Sequence, residues 1–178
     1  MLKKLFLFSF LSLGLLFSNN STNAFAIGDA KMQTATVDKM APEFTLKDSK
    51  GVSHNLSDFK GKYVVLEWIN YDCPFVKKHY ESNNMQSLQK EYTSKGVVWL
   101  SICSSSPGKQ GNFDKETITK RSNEYKAKQT AYLIDEDGHV GQQYGAKTTP
   151  HCYVVSPEGV LIYAGAIDDN PSARPSRC

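Results

Sequence analysis

Apolar and polar positions change period several times along this chain. Residues 63–69, Tyr63-Val64-Val65-Leu66-Glu67-Trp68-Ile69, form an apolar, β-branched run of strand length. Val97 to Cys103 is a second such run, and Ala131 to Ile134 a shorter one. Cys152 to Val155 and Val160 to Gly165 flank Ser156-Pro157-Glu158-Gly159, which reads as a hairpin turn. Ahead of them, Ala41 to Leu46 alternates like a strand, Asp48 to Gly51 turns, Ser53 to Leu56 pairs back, and Ser57 to Lys62 makes one helical turn ended by glycine.

The segments between the runs have helical spacing. Proline is favoured at the first helical position, where its missing N–H has no intrahelical partner, so Pro74 opens a helix with Phe75, Val76 and His79 or Tyr80 on one side. Ser82-Asn83-Asn84 interrupts it; Met85, Leu88 and Tyr92 resume the spacing up to Gly96. Ser104 to Asn112 is a long loop, Lys115 to Lys128 a charged surface helix, and Val140 to Tyr144 a short helix closed by Gly145. Strand–helix–strand–helix needs parallel crossovers; the closing hairpin is antiparallel. The fold class is therefore α/β, a mixed central sheet flanked by helices. Such a sheet needs cover on both faces. Asp168 to Cys178 has no amphipathic pattern, so a C-terminal helix is apparently missing. A truncated chain or a partner's cover is expected, with residues 168–178 a disordered tail.

The first 26 residues have a different character. Met1-Leu2-Lys3-Lys4 is basic, Leu5 to Phe17 is almost wholly apolar, and Ala24-Phe25-Ala26 ends a small polar stretch. This is the pattern of a cleaved signal peptide, and the apolar run is too short for a bilayer, which needs about 20 residues. The expectation is an exported, periplasmic or secreted protein without a membrane partner after cleavage. It would have a flexible lead-in over residues 27–40 and one domain over residues 41–167. Without Lys3 and Lys4 the 21 basic residues fall to 19 against 18 acidic ones, which gives no case for nucleic acid. The spacing of Cys73, Cys103, Cys152 and Cys178 matches no zinc site, and a chain with a real core does not need staples. Redox chemistry is the better expectation, with no metal and no organic cofactor.

Cys73 carries that chemistry. It follows a strand and a polar elbow, Asn70 to Asp72, and stands at the mouth of a helix. There the free N–H groups and the helix dipole favour the thiolate and make the sulfur nucleophilic. Lys77 and Lys78 would help, and Asp72 would oppose. Cys103 and Cys152 end and begin strands that this topology brings toward Cys73, so either can serve as a resolving cysteine or be a core thiol. Glu67 is a proton shuttle if buried, although an exposed strand position is the slightly favoured reading.

These residues resemble the thioredoxin-like superfamily, in its peroxiredoxin-like redoxin branch (alkyl hydroperoxide reductase/thiol-specific antioxidant). The marks are Ala41-Pro42-Glu43-Phe44-Thr45-Leu46, Leu56-Ser57-Asp58-Phe59-Lys60-Gly61-Lys62, and Glu67-Trp68-Ile69-Asn70-Tyr71-Asp72-Cys73-Pro74-Phe75-Val76. Tyr144-Gly145, Thr149-Pro150 and Ser156-Pro157-Glu158-Gly159 follow. The resemblance implies a thioredoxin-like fold, Cys73 as peroxidatic-type nucleophile, and Pro150 as a cis-proline lying against it. Asn70 stands where true peroxiredoxins carry threonine or serine and related branches the first cysteine of Cys-x-x-Cys. The late strand has no arginine, and Arg121 lies on the surface-type helix. The expected activity is a thiol–disulfide oxidoreductase or peroxiredoxin-like antioxidant protein, with a thiol/disulfide protein or a hydroperoxide as partner. The alternatives are a periplasmic copper-binding module using Cys73, His79 and His151, and a redox-inactive partner-binding domain. Oligomeric state is open.

Overall fold

A computed structural model describes residues 34–173. The expected leader over residues 1–26 and Cys178 lie outside the described residues. The elements are β1 (Thr45–Asp48), β2 (Ser53–Asn55), β3 (Val64–Trp68), α1 (Pro74–Glu81), α2 (Asn84–Ser94), β4 (Val98–Cys103), α3 (Lys115–Glu124), β5 (Ala131–Ile134), α4 (His139–Tyr144), β6 (His151–Val155) and β7 (Leu161–Gly165). A 3-10 turn, Leu56–Phe59, precedes β3.

The strands form one seven-stranded sheet in the order β2-β1-β5-β4-β3-β6-β7. β3, β4 and β5 are parallel neighbours, while β6 runs antiparallel to β3 and β7 antiparallel to β6. Strand periodicity divides β3 between two cores. Val64, Leu66 and Trp68 face a cluster with Leu100, Ile102, Leu133 and Tyr153, covered by Phe44, Leu56, Val140 and Tyr144. On the opposite face Trp99, Cys103 and Tyr132 pack with Val76, Tyr80, Met85 and Ile118 of the helices. All six residues of β4 are buried, as expected of a strand covered on both faces.

Several boundaries differ from the sequence reading for physical reasons. The first strand starts at Thr45, because Ala41 N–H donates to Gly159 O instead of joining a ladder and Pro42 has no N–H to give. The helix opened by Pro74 does break, at Asn83, which takes a left-handed φ of 59° between α1 and α2. Helix α3 stops at Glu124, short of Lys128, since Lys126 turns left-handed (φ 54°) and Ala127 N–H bonds back to Ser122 O. Residues expected as a free lead-in are tied down: Ala35 N–H donates to Gln143 O and Asp38 N–H to Leu161 O.

Among the described residues no helix follows β7. An open apolar groove of about 590 Å³ remains between α2 and the β6–β7 edge, lined by Val65, Leu88, Tyr92, Trp99, Cys152 and Tyr163. Part of the expected free tail is anchored instead. Lys78, only 5% exposed, reaches Asp168 Oδ2 at 2.7 Å and donates to Asn170 O at 3.2 Å.

Candidate active site

The β3–α1 connection is an elbow locked at each residue. Cys73 N–H donates to Asn70 O at 2.9 Å, and Asp72 N–H to Asn70 Oδ1 at 2.9 Å. The Asn70 amide nitrogen donates to Gln110 O at 3.2 Å. Both halves of that amide therefore hold backbone, one in the elbow and one in the loop after β4. Gly111 of that loop lies so close that a Cβ on it would stand 2.6 Å from Asn70 Cγ. Its φ of 90° also suits glycine alone.

The middle of the elbow is not polar. Tyr71 is completely buried, its ring 5.2 Å from Tyr125, 5.4 Å from Tyr80 and 5.8 Å from Tyr132. Its hydroxyl and that of Ser122 share a hydrogen bond of 3.1 Å. Burial pushes the Tyr71 phenol up, with the Glu67 charge adding to it. This aromatic anchor escapes a reading by pattern, because a tyrosine between Asn and Asp has no periodic context.

Cys73 is the N-cap of α1 with Pro74 at the first helical position, as expected. Its side chain does not cap the helix; the thiol donates to Thr149 O at 3.2 Å. The Thr149–Pro150 bond is cis. This loop enters from β6, so antiparallel pairing of β6 with β3, Trp68 opposite His151, carries it to the elbow. Beside the pair opens a cavity of about 300 Å³ lined by Phe75, His79, Thr149, Pro150, Ile167 and Asp168. Cys73 is partly exposed, whereas Cys103 and Cys152 are buried, and all three are free thiols.

The charges beside Cys73 differ from expectation. Lys78 turns away to Asp168, so it is no direct help to the sulfur. Asp72, expected to oppose ionisation, is paired: Arg121 Nη1 lies 2.7 Å from its Oδ1. The surface-type helix thus returns its arginine to the elbow.

Glu67 corrects a second expectation, for it is wholly buried. Odd-numbered positions of β3 face the helices, and four donors converge there. Tyr80 Oη bonds Oε1 at 2.9 Å; Trp99 Nε1 (2.7 Å), Gln89 Nε2 (3.1 Å) and Ser101 Oγ (3.2 Å) bond Oε2. Burial raises the carboxyl above its usual range, and these four bonds oppose that rise. No hydrogen bond joins Glu67 to Cys73 among the described residues.

The remaining candidates lie apart. Cys103 points into the helix-side core, within 3.4 Å of both Ser105 Oγ and Gly111 O. Cys152 stands opposite Glu67 on β6, and burial first, then the Glu67 charge, pushes its thiol far up. His151 Nδ1 is 3.0 Å from Tyr153 Oη, and His79 Nδ1 is 3.0 Å from Asn84 Nδ2. Burial lowers both imidazoles, against the raising influence of Asp168 on His79. Among the described residues no three His, Cys, Asp or Glu side chains gather to hold a metal ion.

Comparison with known proteins agrees with this geometry. The chain is 27% identical over 135 residues to thiol-disulfide oxidoreductase ResA of Bacillus cereus, covering 75% of this chain and 71% of that one. An uncharacterised conserved protein of Geobacillus kaustophilus superposes with a TM-score of 0.69 at 29% identity, over 80% of this chain and 73% of that one. The thioredoxin domain of a Bacteroides vulgatus thiol-disulfide oxidoreductase gives 0.59 at 22% identity, over 76% of this chain and 92% of that domain, a likeness of fold. The fold is thioredoxin-like. Residues 37–164 match the AhpC/TSA family model, and the chain belongs to that family.

Proposed function

We propose that this protein is a thiol-dependent oxidoreductase whose single nucleophile is Cys73. The observation that carries the reading is the placement of one partly exposed thiol at a helix mouth, against the Thr149 carbonyl and beside an open cavity. In the resting thiol the proton is held by Thr149 O. On ionisation that bond is lost, and the first-turn amides of α1 become the groups able to stabilise the sulfur. The thiolate then attacks a disulfide RS–SR′. A Cys73–S–S–R bond forms, the S–S bond breaks, and R′S⁻ leaves.

A second thiolate, R″S⁻, attacks the R sulfur of Cys73–S–S–R, forming RS–SR″ and releasing the Cys73 thiolate. Asn70 replaces the near cysteine of a Cys-x-x-Cys pair, Cys103 is buried in the helix-side core, and Cys152 is buried at the floor of the groove between α2 and the β6–β7 edge. The geometry therefore favours an outside thiol as resolving partner. Asn70 and Pro150 position the elbow and its facing loop. The leader over residues 1–26 supports an exported, periplasmic or secreted location.

The test incubates the full chain with oxidised glutathione and follows mass. In peptide mapping Cys73 should gain one glutathionyl group, lost again on adding thiol, and Cys73→Ser should gain none at position 73. Dimedone trapping after hydrogen peroxide tests the hydroperoxide arm, in which the thiolate takes one peroxide oxygen as sulfenic acid and the other leaves as hydroxide, which takes a proton from solvent to become water. An unmodified Cys73 in both reactions would overturn the proposal.

A further inference from the structure

We propose that Arg121 is a positioning residue for the Cys73 thiolate and acts by neutralising Asp72. The inference rests on the reading of Cys73 as nucleophile. Asp72 immediately precedes Cys73 and its side chain is less than a third exposed, so an unpaired carboxylate there would repel a developing thiolate. Arg121 arrives from α3, 49 residues along the chain, and meets Asp72 at 2.7 Å with both side chains less than a third exposed. Its guanidinium also lies over the Phe113 ring, 4.6 Å from the centroid. The ring limits its freedom to swing into solvent. The loop carrying Phe113 is joined to the same elbow through Asn70 and Gly111. The charge balance of the elbow is thus set by a second crossover of the sheet.

Other titratable groups face this pair. Tyr125, just after α3, senses Asp72 and Arg121 together with Glu81 of α1 and Glu124 of α3; burial first, then these acids, raises its phenol. Neither Glu81 nor Glu124 bonds Asp72 or Arg121. Lys77 and Lys78 follow on α1, and Lys78 is bound to Asp168. Arg121 is the cation in contact with Asp72.

The test is the pH profile of iodoacetamide alkylation of Cys73, read by mass spectrometry from pH 5 to 9. It uses the full-length wild type, Arg121→Gln, Arg121→Lys, Asp72→Asn and the Asp72→Asn/Arg121→Gln double variant. Arg121→Gln should move the profile to higher pH and slow alkylation at neutral pH about three- to ten-fold. Arg121→Lys, which keeps the charge, should stay within about two-fold of wild type. The double variant should recover to within about two-fold of Asp72→Asn, because no carboxylate is left to unmask. A merely structural arginine would leave the double variant as slow as Arg121→Gln, and that result, or an unchanged Arg121→Gln, overturns the inference. Glutathionylation of Cys73 measured alongside separates the two ideas. If wild-type Cys73 exchanges normally while Arg121→Gln is unshifted, only this inference falls. If wild-type Cys73 neither alkylates nor exchanges, the proposed function falls and takes this inference with it.

Discussion

Glu67 and Cys152 stand directly opposite each other across the β3–β6 ladder, and both are buried. A carboxyl raised by burial sits beside a thiol raised by burial and by that carboxyl. Ionisation of Glu67 would further disfavour the Cys152 thiolate.

The pair gives stability a definite pH dependence. The folded Glu67 binds its proton more tightly than the unfolded chain does, so its contribution is fully present below the unfolded value and is lost as pH rises through the folded one. Unfolding free energy should fall by up to about 1.4 kcal/mol per pH unit in that window, which opens near the ordinary carboxylate range. Glu67→Gln, which can accept from Trp99, Gln89 and Ser101 with its carbonyl, should remove that slope. Urea midpoints between pH 4 and 9 check this; parallel curves for the two proteins would refute it.

The three described thiols should react in a fixed order. Cys73 is partly exposed, whereas Cys103 is buried in the helix-side core and Cys152 is buried at the floor of the apolar groove. Under native conditions a limiting alkylating reagent should label Cys73 alone, and the other two should follow only in denaturant. Early labelling of Cys152 would refute this order and show that reagent reaches the floor of the groove between α2 and the β6–β7 edge.

Gly111 offers a steric probe of the elbow. An alanine there meets Asn70 Cγ at 2.6 Å and carries a φ of 90°. Gly111→Ala should cost about 1–3 kcal/mol and slow exchange at Cys73, because Asn70 must yield and the elbow with it. Thermal denaturation and glutathionylation rates measure the two effects; a stable variant of normal reactivity would mean the loop moves aside freely.

Lys78 and Asp168 link α1 to the segment after β7. Burial acts to raise Asp168, but the hydrogen bond from Lys78 and the charges of His79 and Lys78 prevail and hold it below the usual range. The contribution of this carboxylate is therefore present above the unfolded value and lost as pH falls through the folded one. Asp168→Asn should cost about 1–2 kcal/mol at neutral pH, a figure discounted from buried-pair values because Asp168 is 35% exposed. The loss should vanish in acid, as chemical denaturation at pH 7 and pH 3 would reveal.

How much of this was legible in the sequence depends on how local each feature is. The central strand was expected over residues 63–69 and occurs as Val64–Trp68; residues 131–134 match without change. The helix mouth at Cys73 follows from one dipeptide step, Cys73-Pro74. Glu67 was misjudged as exposed because its partners Tyr80, Gln89, Trp99 and Ser101 come from three other elements. The pairing of Arg121 with Asp72 and the turning of Lys78 toward Asp168 span 49 and 90 residues, distances at which spacing has nothing to say. Tyr71 was hidden by polar neighbours. In each case the missing information was the order of strands, which decides what faces what.

The contact between Cys73 and Thr149 joins positions 76 residues apart. Contacts of such long range form after local ones, since the intervening loop must first be closed at an entropic cost. A newly made or refolding chain therefore carries all four of its cysteine sulfurs unguarded until β6 docks. Recovery from denaturant should be cleanest with reductant present throughout, because only the assembled sheet separates the working thiol from the two that must stay silent.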